Sequence, residues 1–143
     1  MTDGLIGAWT LNSFQVRHSN GNVSYPFGED AIGSLMYDPS GRFSGLAFRR
    51  GRTKFAVDDT SKGTDPEIRE AFSGSVAYYG SFSIDGPAGK VTHHVDGSVF
   101  PNWEGGDQVR FFSLKDGVLR IETPPTLWGG DTVVFLLEWR RAG

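Results

Sequence analysis

Compact turn signatures recur along this chain and leave mostly short segments between them. Asn20-Gly21, Asp38-Pro39-Ser40-Gly41, Asp85-Gly86-Pro87-Ala88-Gly89 and Lys115-Asp116-Gly117 each join two stretches rich in apolar residues. Asn-Gly is the strongest short-range hairpin signal, and Pro at the second position of Asp-Pro-Ser-Gly presets a turn. The spacing predicts eight strands, at 5–16, 31–37, 42–49, 77–84, 90–96, 108–114, 118–123 and 131–140. Alternation within them follows the two-residue period of a strand. In 42–49, Phe43, Gly45 and Ala47 share one face, and the small residues leave room there. In the first strand Trp9 and Leu11 share a face, but Phe14 and Val16 break the alternation. A bulge, or a strand covered on both sides, would account for that break.

One helix interrupts the series. Thr64-Asp65-Pro66-Glu67 has the form of a capping box, with Pro placed early, where its missing N–H does no harm. Ile68, Phe72 and Val76 follow at four-residue spacing and make one apolar stripe. Gly74 keeps the helix short. Its expected place is a plug or lid over one mouth of what the strands build. The segments 23–30 and 124–130 read as irregular loops. Sequential hairpins favour an all-β, up-and-down antiparallel barrel of eight strands, with the helix after the third. Closure leaves no exposed edge, and eight strands enclose space for side chains or one small ligand. At 143 residues, one domain spanning 1–143 is expected.

Composition narrows the function. The chain has no Cys, which excludes disulfides, thiolate nucleophiles and thiolate-bound metal. A net charge of -3 and a pI near 5.5 argue against nucleic acid as a partner. The first 20 residues hold no signal-type apolar run, and no stretch approaches the ~20 apolar residues of a membrane helix, so a cytoplasmic location without membrane contact is expected. Homodimerisation is left open.

Several motifs together carry a resemblance. Gly7-Ala8-Trp9 on the first strand looks like the G-x-W signature of lipocalin-type barrels. With LIGAWTLNSF, YPFGEDAIGSLMYDPSGRFS, AYYGSFSID, VTHHVDGSVFPNWEGGDQVRFF and the C-terminal LLEWRR, the chain resembles the lipocalin-like domain family of short bacterial and fungal intracellular proteins, across nearly its whole length. That resemblance implies a lipocalin-type barrel. It also implies that Arg140 or Arg141 stacks on Trp9.

The polar residues that could serve an interior site cluster in 92–110. His93 and His94 are adjacent, so on a strand they face opposite ways. His93 shares a face with Val91 and Val95, and His94 with Thr92 and Asp96. An apolar interior would take His93 and leave His94 outside near Asp96; a polar interior would reverse this. Adjacent strand histidines cannot chelate one ion, and no metal-ligand spacing is present. Arg110 interrupts an apolar strand; it faces inward toward an anion, or outward toward Glu122. Tyr79, Ser98, Asn102, Trp103, Gln108 and Trp128 complete the candidate ligand contacts. No phosphate-cradling glycine loop or G-x-S-x-G elbow occurs, so no cofactor is implied.

Two functions fit this set. One is an enzyme without cofactor, an isomerase, cyclase or lyase, in which His93 or His94 moves a proton while Arg110, Asn102 and Tyr79 polarise an oxygen. The other is a carrier or sensor, in which the same groups only orient a small apolar or aromatic metabolite.

Overall fold

The structure is a computed structural model and describes residues 4–143. In chain order its elements are β1 (Gly7–His18), β2 (Val23–Ser24), β3 (Ile32–Tyr37), β4 (Arg42–Phe48), α1 (Asp65–Ser73), β5 (Ser75–Asp85), β6 (Lys90–Ser98), a 3-10 turn (Pro101–Trp103), β7 (Asp107–Lys115), β8 (Val118–Glu122), β9 (Thr126–Trp128) and β10 (Asp131–Arg141). The sheet runs β2-β1-β3-β4-β5-β6-β7-β8-β10-β9, and β1 also pairs with β10. All pairings are antiparallel. The β1–β10 pairing closes β1, β3, β4, β5, β6, β7, β8 and β10 into an eight-stranded barrel, with α1 after the third barrel strand. β2 and β9 are short additions at one end, where β1 finishes at His18. They lie in segments whose sequence reads as loop, because two or three residues are too few to display a period.

The turns form as their residues require. At Asp116-Gly117 both residues have positive φ, 54° and 77°. This is the pair a two-residue turn needs to match the strand twist. Two irregularities set which side chains face inward. In β1, Leu11 pairs with Trp139 and Ser13 with Glu138, so Asn12 is bulged out. Leu11 and Phe14 therefore both face inward, which explains the broken alternation. In β6, Gly80 pairs with Val95 and Tyr79 with Gly97, which bulges Asp96.

At the Gly7 end the barrel is closed by packing. Trp9 is fully buried and its indole N–H donates to the carbonyl of Leu5 at 3.0 Å. The Arg141 guanidinium lies 4.1 Å above the Trp9 ring and donates to the carbonyls of Gly4 and Ile6. This cation–π contact contributes roughly 0.5–2 kcal/mol. It is Arg141, rather than Arg140, that takes this place.

The helix forms as its capping box predicts: Thr64 Oγ1 accepts from the Glu67 N–H at 3.3 Å, and Glu67 Oε1 accepts from the Thr64 N–H at 2.9 Å. It does not plug the barrel. None of its residues is buried, and Ile68 and Phe72 are exposed. Val76 belongs to β5. Among the described residues, no helix is long and apolar enough to cross a membrane.

Candidate functional site

β3, β4, β5, β6 and β7 are neighbours in the sheet, and their inward residues meet in one polar centre. His93 on β6 is 2% exposed. Its ring stacks on Phe43 of β4, with centroids 4.2 Å apart and planes 15° from parallel. Its Nε2 lies 2.6 Å from the Tyr37 hydroxyl, and its Nδ1 lies 2.9 Å from the Tyr78 hydroxyl. Trp103, on the 3-10 turn, packs edge-on against Tyr78 at 5.0 Å. Arg110 on β7 is 9% exposed. Its Nη1 donates to the Val109 carbonyl at 2.9 Å and its Nη2 to Gln108 Oε1 at 3.3 Å. Among the described residues no carboxylate pairs with it.

These surroundings fix the protonation states. Burial, then the positive Arg110, then His94, lower the His93 pKa to about 3, so its imidazole is neutral near pH 7. Burial raises Tyr37 well above the ordinary phenol value, and the neighbouring Tyr78 adds to that rise. Burial raises Tyr78 as well, opposed by Arg110. Both phenols are therefore protonated. A neutral imidazole has one donor and one acceptor nitrogen. Tyr37 is fully buried and His93 is its one side-chain hydrogen-bond partner among the described residues. Were Tyr37 to accept from His93, its own proton would be stranded, at roughly 1–3 kcal/mol. Tyr37 therefore donates to Nε2, and Nδ1–H donates to Tyr78. The Tyr78 proton is left to point elsewhere.

Tyr78, Phe82, Gln108, Phe112, Phe135 and Leu137 have inward register, yet each keeps part of its surface accessible. A barrel of this size, polar at one point and aromatic elsewhere, matches the general form of a small-molecule site.

Residues 6–142 match the family described as the lipocalin-like domain. The chain belongs to the lipocalin-like domain family. It is similar to the 4'-hydroxy-3'-methoxypropiophenone carrier protein ppsC of Aspergillus oryzae (strain ATCC 42149 / RIB 40). The two are 30% identical over 105 residues, covering 68% of this chain and 95% of that protein. No solved structure matches the chain.

In this lipocalin-like barrel, the candidates named from sequence divide into three groups. His93, Arg110, Gln108 and Trp103 come together at the polar centre. Ser98 shares the inward register of Tyr78, but its Oγ accepts from the Phe100 N–H at 3.1 Å, which holds the rim of the mouth. The others lie apart. His94 faces outward, with Nδ1 2.8 Å from Asp107 and Nε2 3.0 Å from Ser83 Oγ. Asp96 instead pairs with Arg42 at 2.8 Å. Ser83, His94 and Asp107 thus form a Ser-His-Asp relay, but on a sheet surface whose backbone N–H groups serve the ladders, which leaves no oxyanion hole. Tyr79 is 51% exposed and covers Gly97 on the outer wall. Asn102 is exposed on the turn. Trp128 is 42% exposed on β9, near His18 and Phe135, at the barrel's His18 end. Glu122 lies 3.9 Å from Arg17, so it does not partner Arg110.

Tyr37, Tyr78 and Phe43 are the members of the centre that sequence reasoning missed. A signal for Tyr78 existed: it shares a face with Gly80 and Phe82, and Tyr79 does not. Among the described residues, no group of His, Asp and Glu is placed to hold a metal. An open groove of about 490 Å³ lies elsewhere, beside α1, lined by Phe48, Arg52, Lys54, Phe55 and Ala71 among others. Its Arg52 is already engaged, donating to the Ala71 carbonyl at 3.0 Å and lying over Phe48.

Proposed function

We propose that this protein binds a small aromatic or apolar molecule inside the barrel and releases it unchanged, as a carrier. The observation that carries this reading is the Tyr37–His93–Tyr78–Arg110 centre on an inward face whose aromatic side chains remain partly accessible. The name of the Aspergillus relative, a carrier of a hydroxylated and methoxylated aromatic ketone, agrees with it.

The enzymatic alternative, an isomerase, cyclase or lyase using a pocket histidine, is less favoured by the electrostatics. An efficient general base has a pKa near the working pH. His93, held at about 3, is a poor proton acceptor, and both of its nitrogens are occupied by tyrosines. His93 serves instead to fix the direction of the hydrogen-bond chain.

The test is a fluorescence titration with N-phenyl-1-naphthylamine, followed by competition with 4'-hydroxy-3'-methoxypropiophenone. Expected are saturation at one equivalent, a Kd on the order of micromolar, and recovery of the ketone chemically unchanged. Absence of saturable binding by either compound defeats the binding reading. Conversion of the ketone to a product in the presence of protein defeats the carrier reading.

A further inference from the structure

We propose that the barrel centre is built for an ionised oxygen: the ligand is an aromatic or apolar acid whose anionic group sits on Arg110, Tyr78 and Gln108. This rests on the binding reading above and names the ligand class for that same site. Three observations lead to it.

First, Arg110 is more than nine-tenths buried, and among the described residues no carboxylate neutralises it. A buried cation without a partner is expensive unless an anion arrives. Two of its five N–H groups are used, on the Val109 carbonyl and on Gln108 Oε1.

Second, the acceptor oxygens of Gln108 and Tyr78 are already engaged, and what these groups have left to offer are donors. Gln108 points its carbonyl at Arg110, so its amide N–H groups face away from the guanidinium. The Tyr37-to-His93-to-Tyr78 chain ends on a hydroxyl that already accepts from His93 and has its own proton to give. A guanidinium, an amide and a phenol, all donating, match a carboxylate, sulfonate or phenolate oxygen. They fit a hydrocarbon or an ether poorly.

Third, the surroundings of those donors are rings. Phe43, Phe82 and Trp103 pack around Tyr37, His93 and Tyr78, and Trp103 lies 6.0 Å from the Arg110 guanidinium carbon. An anionic head beside aromatic walls selects an amphipathic molecule rather than a free inorganic ion.

The experiment compares two probes that differ by the anion. 1-Anilinonaphthalene-8-sulfonate carries a sulfonate, and N-phenyl-1-naphthylamine is the same skeleton without it. The wild-type protein is expected to bind the sulfonate roughly tenfold or more tighter, the value of a charge-assisted hydrogen bond in a buried site. Arg110→Met should abolish that preference by weakening the sulfonate far more than the amine, whereas Arg110→Lys should retain part of it. Equal binding of the two probes by the wild type, or equal weakening of both by Arg110→Met, overturns the inference while leaving a binding barrel. Failure of the wild type to bind either probe overturns the binding reading itself.

A second comparison uses only the unaltered protein. trans-Cinnamate should displace bound N-phenyl-1-naphthylamine at lower concentration than methyl trans-cinnamate. An ester that competes as well as the acid, or better, counts against the inference.

Discussion

At the scale of single residues, the centre buries a histidine and an arginine, and burial couples their charge to stability. His93 makes this measurable. Its folded pKa is near 3 against an ordinary value of 6.5, so between those values the unfolded chain binds a proton that the folded chain refuses. The stability gained from a neutral His93 is fully present above about pH 6.5. It is lost as the pH falls, by at most about 1.4 kcal/mol per pH unit. Urea unfolding at pH 7.5, 6 and 5 should show the wild type losing about 2 kcal/mol more than His93→Gln between pH 7.5 and 5. His18 and His94 are common to both proteins and cancel; parallel curves would show that His93 is not protected from the proton.

Arg110 gives the complementary result. Arg110→Met removes a buried charge that no carboxylate balances among the described residues, and should raise ligand-free stability by about 1–3 kcal/mol; a fall in the unfolding midpoint would mean that the guanidinium is already satisfied. From the sequence, an Arg in the middle of this strand needs an anion if it faces inward. The sequence could not show which phase the strand would take, and so left Glu122 as an alternative. Tyr79 stands among the sequence candidates and Tyr78 does not for a related reason: in a Tyr-Tyr pair the residue type is identical, and only register separates wall from interior.

At the scale of elements, register is set by bulges, and bulges are hard to read from sequence. The break between Leu11 and Phe14 was visible because both flanks are apolar. The bulge at Asp96 was not, because Asp-Gly-Ser there reads as the end of a strand. Yet that bulge turns Ser98 to the side of Tyr78 and Gly97 to the side of Tyr79. Gly80 makes the crossing fit. A Cβ placed on it would stand 1.8 Å from the His94 carbonyl oxygen and 2.9 Å from its carbon. Both are backbone atoms, so the strands would have to separate. Gly80→Ala should therefore destabilise by about 1–3 kcal/mol or more. It should also weaken N-phenyl-1-naphthylamine binding, because Tyr78 is displaced with the strand. Unchanged stability and affinity would show that the bulge can slide. The helix presents the opposite case. Its capping signal was legible and its shape correct, but its apolar stripe suggested a burial that did not occur. Ile68 and Phe72 are exposed rather than packed on the barrel core, so Ile68→Ser should change global stability by less than about 0.5 kcal/mol.

At the scale of the molecule, closure decides whether there is an interior at all. Eight strands and sequential hairpins could be read from turn residues, and closure followed from the need to leave no strand edge. The partners of the closing pair could be assigned as first and last strands, but their nine paired positions, from Trp9 with Arg141 to His18 with Val133, depend on the Asn12 bulge. This pairing joins segments more than a hundred residues apart in sequence, so loop-closure entropy opposes it until nearly the whole chain is in place. Before that, β1 and β8 each present an unpaired edge. β10 covers both, pairing along β1 and with Val118–Glu122 of β8. An open sheet with apolar Trp9, Leu11, Phe14, Leu119 and Ile121 beside its edges is a template for intermolecular pairing. Removing residues 131–143 should thus give a chain that aggregates on expression or refolding rather than a weakened monomer, as judged by size-exclusion chromatography and light scattering. A monomeric, cooperatively unfolding product would show that β1 and β8 meet without β10, and that the order of the sheet, rather than its closure, maintains the site.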